Sequence, residues 1–227
     1  MHNLTQNREL ADLLFPDIQK TPEYYEMLYP KRQLAEGAKV TRFAPSPTGY
    51  VHMGSLYASL VSERLAHQSN GVFFLRVEDT DKKREVEGGV SNIVRALSRF
   101  GISFDEGVTD VDDEKGSYGP YKQSERMEIY KTFAKRLVEK GLAYPCFCSE
   151  EDLDKIRAQQ EEKKETPGYY GEYAVHRNST LEQVKEELSR GKPFVLRVKA
   201  PNNPDSRFVF KDLIKGDVEM PENFQDI

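Results

Sequence analysis

Residues 40–55 read Val-Thr-Arg-Phe-Ala-Pro-Ser-Pro-Thr-Gly-Tyr-Val-His-Met-Gly-Ser, and their order decides the fold. Val40 to Ala44 has the make-up of a short buried strand, stopped by the turn Pro45-Ser46-Pro47-Thr48-Gly49. A helix is expected over residues 52–69, because Leu56, Tyr57, Leu60, Val61 and Leu65 recur on one side with the helical period. Asn70-Gly71 ends it. Val72-Phe73-Phe74-Leu75-Arg76-Val77 is an apolar run between turn signals, the pattern of a central strand buried on both faces. Strand, helix and strand in this order make a βαβ unit, whose strands run parallel.

The alternation continues outward. Residues 87–100 predict a second helix, with Val90, Ile93, Val94, Leu97 and Phe100 on one stripe and Gly101 after it. Residues 124–140 predict a third, and residues 142–148 a further strand. The fold class is therefore α/β with a parallel sheet over residues 40–148. In such sheets ligands bind outside the carboxyl ends of the strands, which directs attention just past Ala44, Val77 and Cys148. Beyond Ser149 the pattern changes to an α+β kind. A capped helix runs to about residue 160, followed by a charge-rich stretch over 161–166 and an irregular Pro-Gly-Tyr-Tyr-Gly segment. A helix then opens where Ser179–Glu182 and Thr180–Gln183 both fit a capping box, and strand-like runs fall at 194–198, 207–210 and 217–220. A boundary is expected near Ser149. The first 39 residues are broken by Pro16, Pro22 and Pro30, and predict one or two short helices from Leu10, Leu13, Leu14, Ile18 and the tyrosines 24, 25 and 29.

Composition narrows the possible functions. With 227 residues, 33 Lys+Arg against 38 Asp+Glu and a net charge of −5, the chain does not grip nucleic acid over its whole surface, though a local basic patch is compatible with that balance. Cys146 and Cys148 are too few for a disulfide framework and suit a reducing cytosol. No run approaches the roughly 18 apolar residues of a membrane span, and the N-terminus has no signal-peptide core. A cytoplasmic protein is expected.

Two stretches carry the chemistry. His52-x-Gly54 falls at a helix N-terminus, whose free N–H groups and dipole suit an anionic phosphate. The imidazole can donate to a phosphate oxygen, and Gly54 lets a flat ring or phosphate approach the backbone. His-x-Gly alone would be read as an ordinary helix entry; the whole string in its strand–turn–helix setting favours function. After the second strand come Glu78, Asp79 and Asp81. They fit a metal site, or capping of the next helix, or a third arrangement better suited to the neighbouring strand. Arg42 and Glu78 lie at corresponding strand ends and would anchor the carboxylate and ammonium of a zwitterion, Arg binding bidentately. A plain Arg42–Glu78 ion pair is the bland alternative.

RFAPSPTGYVHMGS, LRVEDTDKKRE, GPYKQSER and YPCFCSEE resemble, in order and rough spacing, the catalytic domain of the glutamyl-tRNA synthetases, which are class I aminoacyl-tRNA synthetases. The resemblance runs from about residue 7 to the last. It implies an N-terminal extension over 1–39, the first half of a Rossmann-like catalytic domain over 40–148, and part of the connective, acceptor-stem-binding insertion over 149–227. By the same resemblance His52 and Gly54 form the catalytic signature, and Ala44, Pro45, His52, Gly54 and Ser55 bind ATP. Arg42, Ser46 and Glu78 bind glutamate. The implied reaction is attack of a glutamate carboxylate on the ATP α-phosphorus with loss of pyrophosphate, then transfer of the glutamyl group from the adenylate to the terminal ribose of tRNA with loss of AMP. Mg²⁺ would bridge the phosphates without a dedicated protein cage. The implied partners are L-glutamate, ATP and tRNA, with no membrane, and the intact enzyme a monomer.

The departures matter as much. Ser55 stands where many class I enzymes have a second His. Cys146-x-Cys148 resembles the first half of a zinc site found in some relatives, but Tyr173 stands where a Cys is expected and His176 is displaced. Both cysteines are therefore expected as strand residues, with no metal. No KMSK-like lysine loop occurs, and the sequence stops inside the insertion at Asp226-Ile227. The polypeptide alone is expected to have little aminoacylation activity and, with one flank of the first strand open, to self-associate. Within the enzyme class the alternatives are a glutamyl-queuosine or a glutaminyl tRNA synthetase; outside it, a small nucleotidyltransferase or a non-catalytic fragment that binds ATP or RNA.

Overall fold

The computed structural model describes residues 2–201, 203 and 205–227. Two short helices, α1 (His2–Leu14) and α2 (Pro22–Leu28), precede the first strand, as the N-terminal pattern predicts. The chain then divides into two compact units, Lys20–Lys131 and, separately, Thr132–Ile227 with the residues up to Gln19. Among the described residues no helix is long and apolar enough to cross a membrane.

In the Lys20–Lys131 unit, β1 (Val40–Phe43), α3 (Met53–Gln68), β2 (Val72–Leu75) and α4 (Gly89–Arg99) form where the sequence places them. β1 and β2 pair in parallel, Arg42 opposite Phe74 and Phe43 opposite Leu75. β3 (Glu106–Asp110) extends the parallel sheet, and β4 (Asp113–Lys115) turns back antiparallel to give the order β1-β2-β3-β4. Phe73 and Leu75 of β2 pack with Leu56 and Ala66 of α3 and with Ile93 and Leu97 of α4, forming the core. The other face of β2 is covered more thinly, by Phe74 against Val77, Val90, Val108 and Tyr121.

Three features of this unit depart from the sequence reading. The β3–β4 hairpin was not expected, because Glu106, Gly107, Asp110 and Asp113 carry no strand signal and the pairing comes from the neighbouring β2. Arg76 and Val77 lie past the end of β2, where Val77 makes an isolated parallel bridge to Lys122. The apolar residues of α3 also split between two faces. Leu56 and Ala66 point inward, whereas Met53, Tyr57, Val61 and Leu65 recur every fourth residue and are exposed, Tyr57 by 69 %.

The division between units falls within α5 (Met127–Glu139). In the Thr132–Ile227 unit, β5 (Ala143–Cys146) does not join the parallel sheet but pairs antiparallel with a later strand. All four of its residues are buried, and such a run reads alike in either kind of sheet. α6 (Glu150–Glu162) and α7 (Leu181–Ser189) follow, then β6 (Val195–Val198), which is the partner of β5, and the hairpin of β7 (Arg207–Asp212) and β8 (Gly216–Pro221). Ser149 with Asp152 and Thr180 with Gln183 form reciprocal capping boxes on α6 and α7, so Thr180 rather than Ser179 opens the later helix. The core joins Ala11 and Leu14 of α1 to Val138, Ala143, Phe147 and Val184. Positions 39/40 and 148/149 lie inside these compact units: Tyr29, Pro30 and Arg32 bond to Gly119, Tyr118 and Glu106 within the first, and β5 pairs with β6 in the second.

Candidate active site

At the carboxyl end of β1 the proline-rich loop is tied to the stretch that follows β2. The Pro45 carbonyl accepts the Glu78 N–H at 2.9 Å, and the Pro47 carbonyl accepts the Val86 N–H at 2.9 Å. Gly89 allows this approach, since a Cβ there would lie 2.8 Å from the Pro47 oxygen. The loop and the start of α3 enclose a cleft of about 410 Å³, lined among others by Ala44, Pro45, Ser46, His52 and Ser55. Five of the residues singled out by sequence therefore share one cavity.

His52 is the N-cap of α3. Its Nδ1 accepts the Ser55 N–H at 3.3 Å, so the neutral ring carries its proton on Nε2, which lies 3.1 Å from Ser55 Oγ and donates to it. Gly54 faces this ring: a Cβ would come within 3.2 Å of both Cε1 and Nδ1. The smallness of Gly54 thus makes room for the imidazole, a local reason that the sequence pattern did not supply.

Arg42 and Glu78 meet although the strand register sets Arg42 opposite Phe74 and Glu78 lies past the end of β2; Arg42 Nη1 is 3.8 Å from Glu78 Oε1. Both side chains face solvent in part, 42 % and 31 % exposed, which leaves room for a ligand. Glu78 Oε1 also accepts from Arg76 Nη2 at 3.1 Å. Sequence reasoning missed Arg76, which it absorbed into an apolar run.

The neighbouring carboxylates are committed elsewhere. Asp79 is 5 % exposed and accepts from Ser124 N at 2.9 Å, Ser124 Oγ at 2.5 Å and Lys82 Nζ at 3.3 Å. Burial pushes its carboxyl upward, but the Ser124 and Lys82 donors outweigh it and hold the group below the usual carboxylate range. Asp81 is held low chiefly by its hydrogen bond to Arg84. Of the three readings offered by the acidic stretch, these two carboxylates fit structural ties, and Glu78 is the one presented beside Arg42.

The Thr132–Ile227 unit holds a separate cluster. His176 Nδ1 lies 3.4 Å from Cys148 Sγ and 3.8 Å from Cys146 Sγ. The Tyr169 hydroxyl is 3.4 Å from Cys146 Sγ, 3.6 Å from Cys148 Sγ and 3.3 Å from His176 Nδ1. His176 is therefore not displaced, contrary to the sequence spacing. The ligand atoms of Cys146, Cys148 and His176 all lie within 4.8 Å of one another, three of the four donors that a tetrahedral zinc requires, and the Tyr169 hydroxyl lies beside them. Burial pushes the Cys148 thiol up to about 11 and the His176 imidazole down, which favours the neutral, ligating form of the ring.

A family model for the catalytic domain of class I tRNA synthetases (E and Q) matches residues 39–227, and the chain belongs to that family. Within it, the chain is 54% identical over 218 residues to the glutamate–tRNA ligase of Clostridium perfringens strain 13, covering 96% of this chain and 40% of that protein. It is 56% identical over 221 residues to the glutamate–tRNA ligase of Acetivibrio thermocellus, covering 97% and 40%. A crystal structure of a glutamate tRNA ligase from Elizabethkingia meningosepticum, in complex with its amino acid, superposes with a TM-score of 0.70 at 35% identity, over 82% of this chain and 36% of that one. The α/β fold with its parallel sheet is thus that of these ligases, and the chain spans about 40% of the length of the relatives it matches.

Proposed function

We propose that this chain forms the glutamate- and ATP-binding part of a glutamate–tRNA ligase. The observation that carries this is the pair of opposite charges, Arg42 of β1 and Glu78 just past β2, 3.8 Å apart, next to the loop that lines the cleft. Arg42 and Ser46 receive a carboxylate of glutamate, and Glu78 receives the ammonium. ATP occupies the cleft along Ala44, Pro45 and Ser55, its phosphates toward the N-terminus of α3 at His52 and Gly54. With Nδ1 engaged as an acceptor, His52 exchanges its Nε2–H bond to Ser55 Oγ for one to a phosphate oxygen, and stabilises phosphate charge rather than removing a proton. Mg²⁺ accompanies the phosphates. A glutamate carboxylate attacks the α-phosphorus in line and pyrophosphate leaves; a hydroxyl of the terminal tRNA ribose then attacks the carbonyl of the glutamyl adenylate, taking the glutamyl group as an ester and releasing AMP. The protein contributes positioning and electrostatic stabilisation, and residues 149–227 receive the tRNA 3′ end. Cys146, Cys148 and His176 would hold a structural zinc ion, with the Tyr169 hydroxyl beside it; the ion would brace the start of α6 and take no part in the chemistry.

The test is ATP–pyrophosphate exchange, with tRNA present, in the full-length protein carrying these residues. Glutamate-dependent exchange is expected. Exchange with glutamine instead would overturn the amino-acid assignment, and none with either, despite ATP binding by calorimetry, would overturn the ligase reading. The 227-residue chain assayed alone is expected to give little exchange.

A further inference from the structure

The segment GPYKQSER, residues 119–126, lines none of the cleft, yet beyond the bonds of Ser124 to Asp79 it lies alongside the residues that carry Glu78. Val77 N–H donates to the Tyr121 carbonyl at 2.9 Å, and Gln123 N–H donates to the Val77 carbonyl at 2.9 Å. Ser124 holds Asp79 on the far side of Glu78. The backbone on both sides of Glu78 is thus fixed by residues 121–124.

That segment is held in turn from the N-terminal side. Arg32 binds Glu106 bidentately, with Nη2 2.6 Å from Oε2 and Nη1 on Oε1, and its guanidinium lies 3.7 Å from the Tyr118 ring centroid. Both partners are largely buried. Tyr121 Oη donates to the same Glu106 carboxylate at 2.7 Å and accepts the Tyr118 N–H at 3.0 Å. Tyr29 Oη donates to the Gly119 carbonyl at 2.5 Å, and Tyr118 Oη donates to the Pro30 carbonyl at 2.7 Å. Residues 29–32 therefore form a strap across residues 118–121. Desolvated, bidentate and stacked contacts of this kind are stronger than exposed ion pairs.

We propose that Arg32, with Tyr29, is a positioning residue for amino-acid binding: the strap fixes residues 118–124, and these fix the backbone that presents Glu78. This rests on the ligase reading for its substrate, and it gives the N-terminal stretch a task at the site that it does not itself line. Contacts along such a chain change affinity by about 2- to 30-fold when broken.

Two measurements test it. Amide hydrogen exchange on the 227-residue chain compares wild type with Arg32→Ala and with Tyr29→Phe, which keeps the ring and removes only the hydroxyl contact. Faster exchange at Val77, Glu78, Gln123 and Ser124, with α3 unchanged, is expected in both variants, by about tenfold or more for Arg32→Ala. In the full-length protein the same variants should raise KM for glutamate by about 3- to 30-fold while KM for ATP stays within about twofold. Unchanged exchange at Glu78 in both variants overturns the proposal, as does a KM for glutamate unchanged in both, or a rise in both KM values together. Should Arg32→Ala fail to fold, Tyr29→Phe decides alone. Hydrogen exchange needs no substrate, so absence of glutamate-dependent activity in the wild type counts against the ligase reading and leaves the strap itself to be judged by exchange.

Discussion

Replacing Glu78 by Gln separates a binding anchor from a surface ion pair. The substitution keeps the shape, the Pro45 carbonyl bond to residue 78 and an oxygen for Arg76, and removes only the negative charge. Arg42 and Glu78 are 3.8 Å apart and 42 % and 31 % exposed, so their mutual attraction is screened and contributes about 0–1 kcal/mol to stability. Urea unfolding of Glu78→Gln should therefore shift by less than about 1 kcal/mol. A carboxylate that receives the ammonium of glutamate makes a charge-assisted hydrogen bond of about 1.5–3 kcal/mol, most of which is lost with Gln. At about 1.4 kcal/mol per decade, KM for glutamate in the exchange assay should rise roughly 10- to 150-fold, with KM for ATP little changed. A KM for glutamate within about twofold of wild type, with stability intact, would refute the assignment and leave Glu78 as a partner of Arg42 and Arg76 only.

Gly54→Ala should leave stability within about 1 kcal/mol, since Ala suits a helix, while pressing on the His52 ring and slowing exchange roughly tenfold; an unchanged rate would show that the ring position is immaterial. Ser124→Ala removes a donor that holds Asp79 low, so its stability deficit of about 1–2 kcal/mol should be present at neutral pH. That deficit should shrink as pH falls through the depressed folded value, where wild-type Asp79 is protonated too; a pH-independent deficit in urea titrations would contradict this sign. Protein purified without chelators should release about one equivalent of zinc on thiol modification, and Cys148→Ser should lose it; zinc-free wild type that resists loading would exclude the site. The exposed row on α3 should make the 227-residue chain associate in sedimentation, and Tyr57→Lys with Val61→Glu should reduce this; a wild-type monomer at all concentrations would count against it.

The readable part of the fold was the part held together by short-range patterns. α4 could be read because Val90, Ile93 and Leu97 all reach the core, and α6 and α7 because Ser149 and Thr180 announce themselves as caps. β3 was not legible, since Glu106 is there to bind Arg32, a partner 74 residues away in the chain. The placement of β5 was hidden for a related reason: burial on every side specifies a strand but not its neighbour. At the site, Arg42 and Glu78 do come within 3.8 Å, but through the chain that continues past β2 and not as partners in the strand register. Arg76 was lost in its apolar surroundings, and His176 approaches Cys148 only through the fold of the segment between them.

The packing of α1 has a consequence for how the molecule is made. Ala11 and Leu14 bury against Val138, Ala143, Phe147 and Val184, so α1, once it leaves the ribosome, has no core until these later residues follow. At roughly 5–20 residues per second, about 170 residues of further synthesis take roughly 10–30 s. During that interval the Lys20–Lys131 unit, whose contacts are nearer in sequence, has time to form. The amphipathic helix waits with its apolar side uncovered, a natural target for a chaperone that recognises nascent chains.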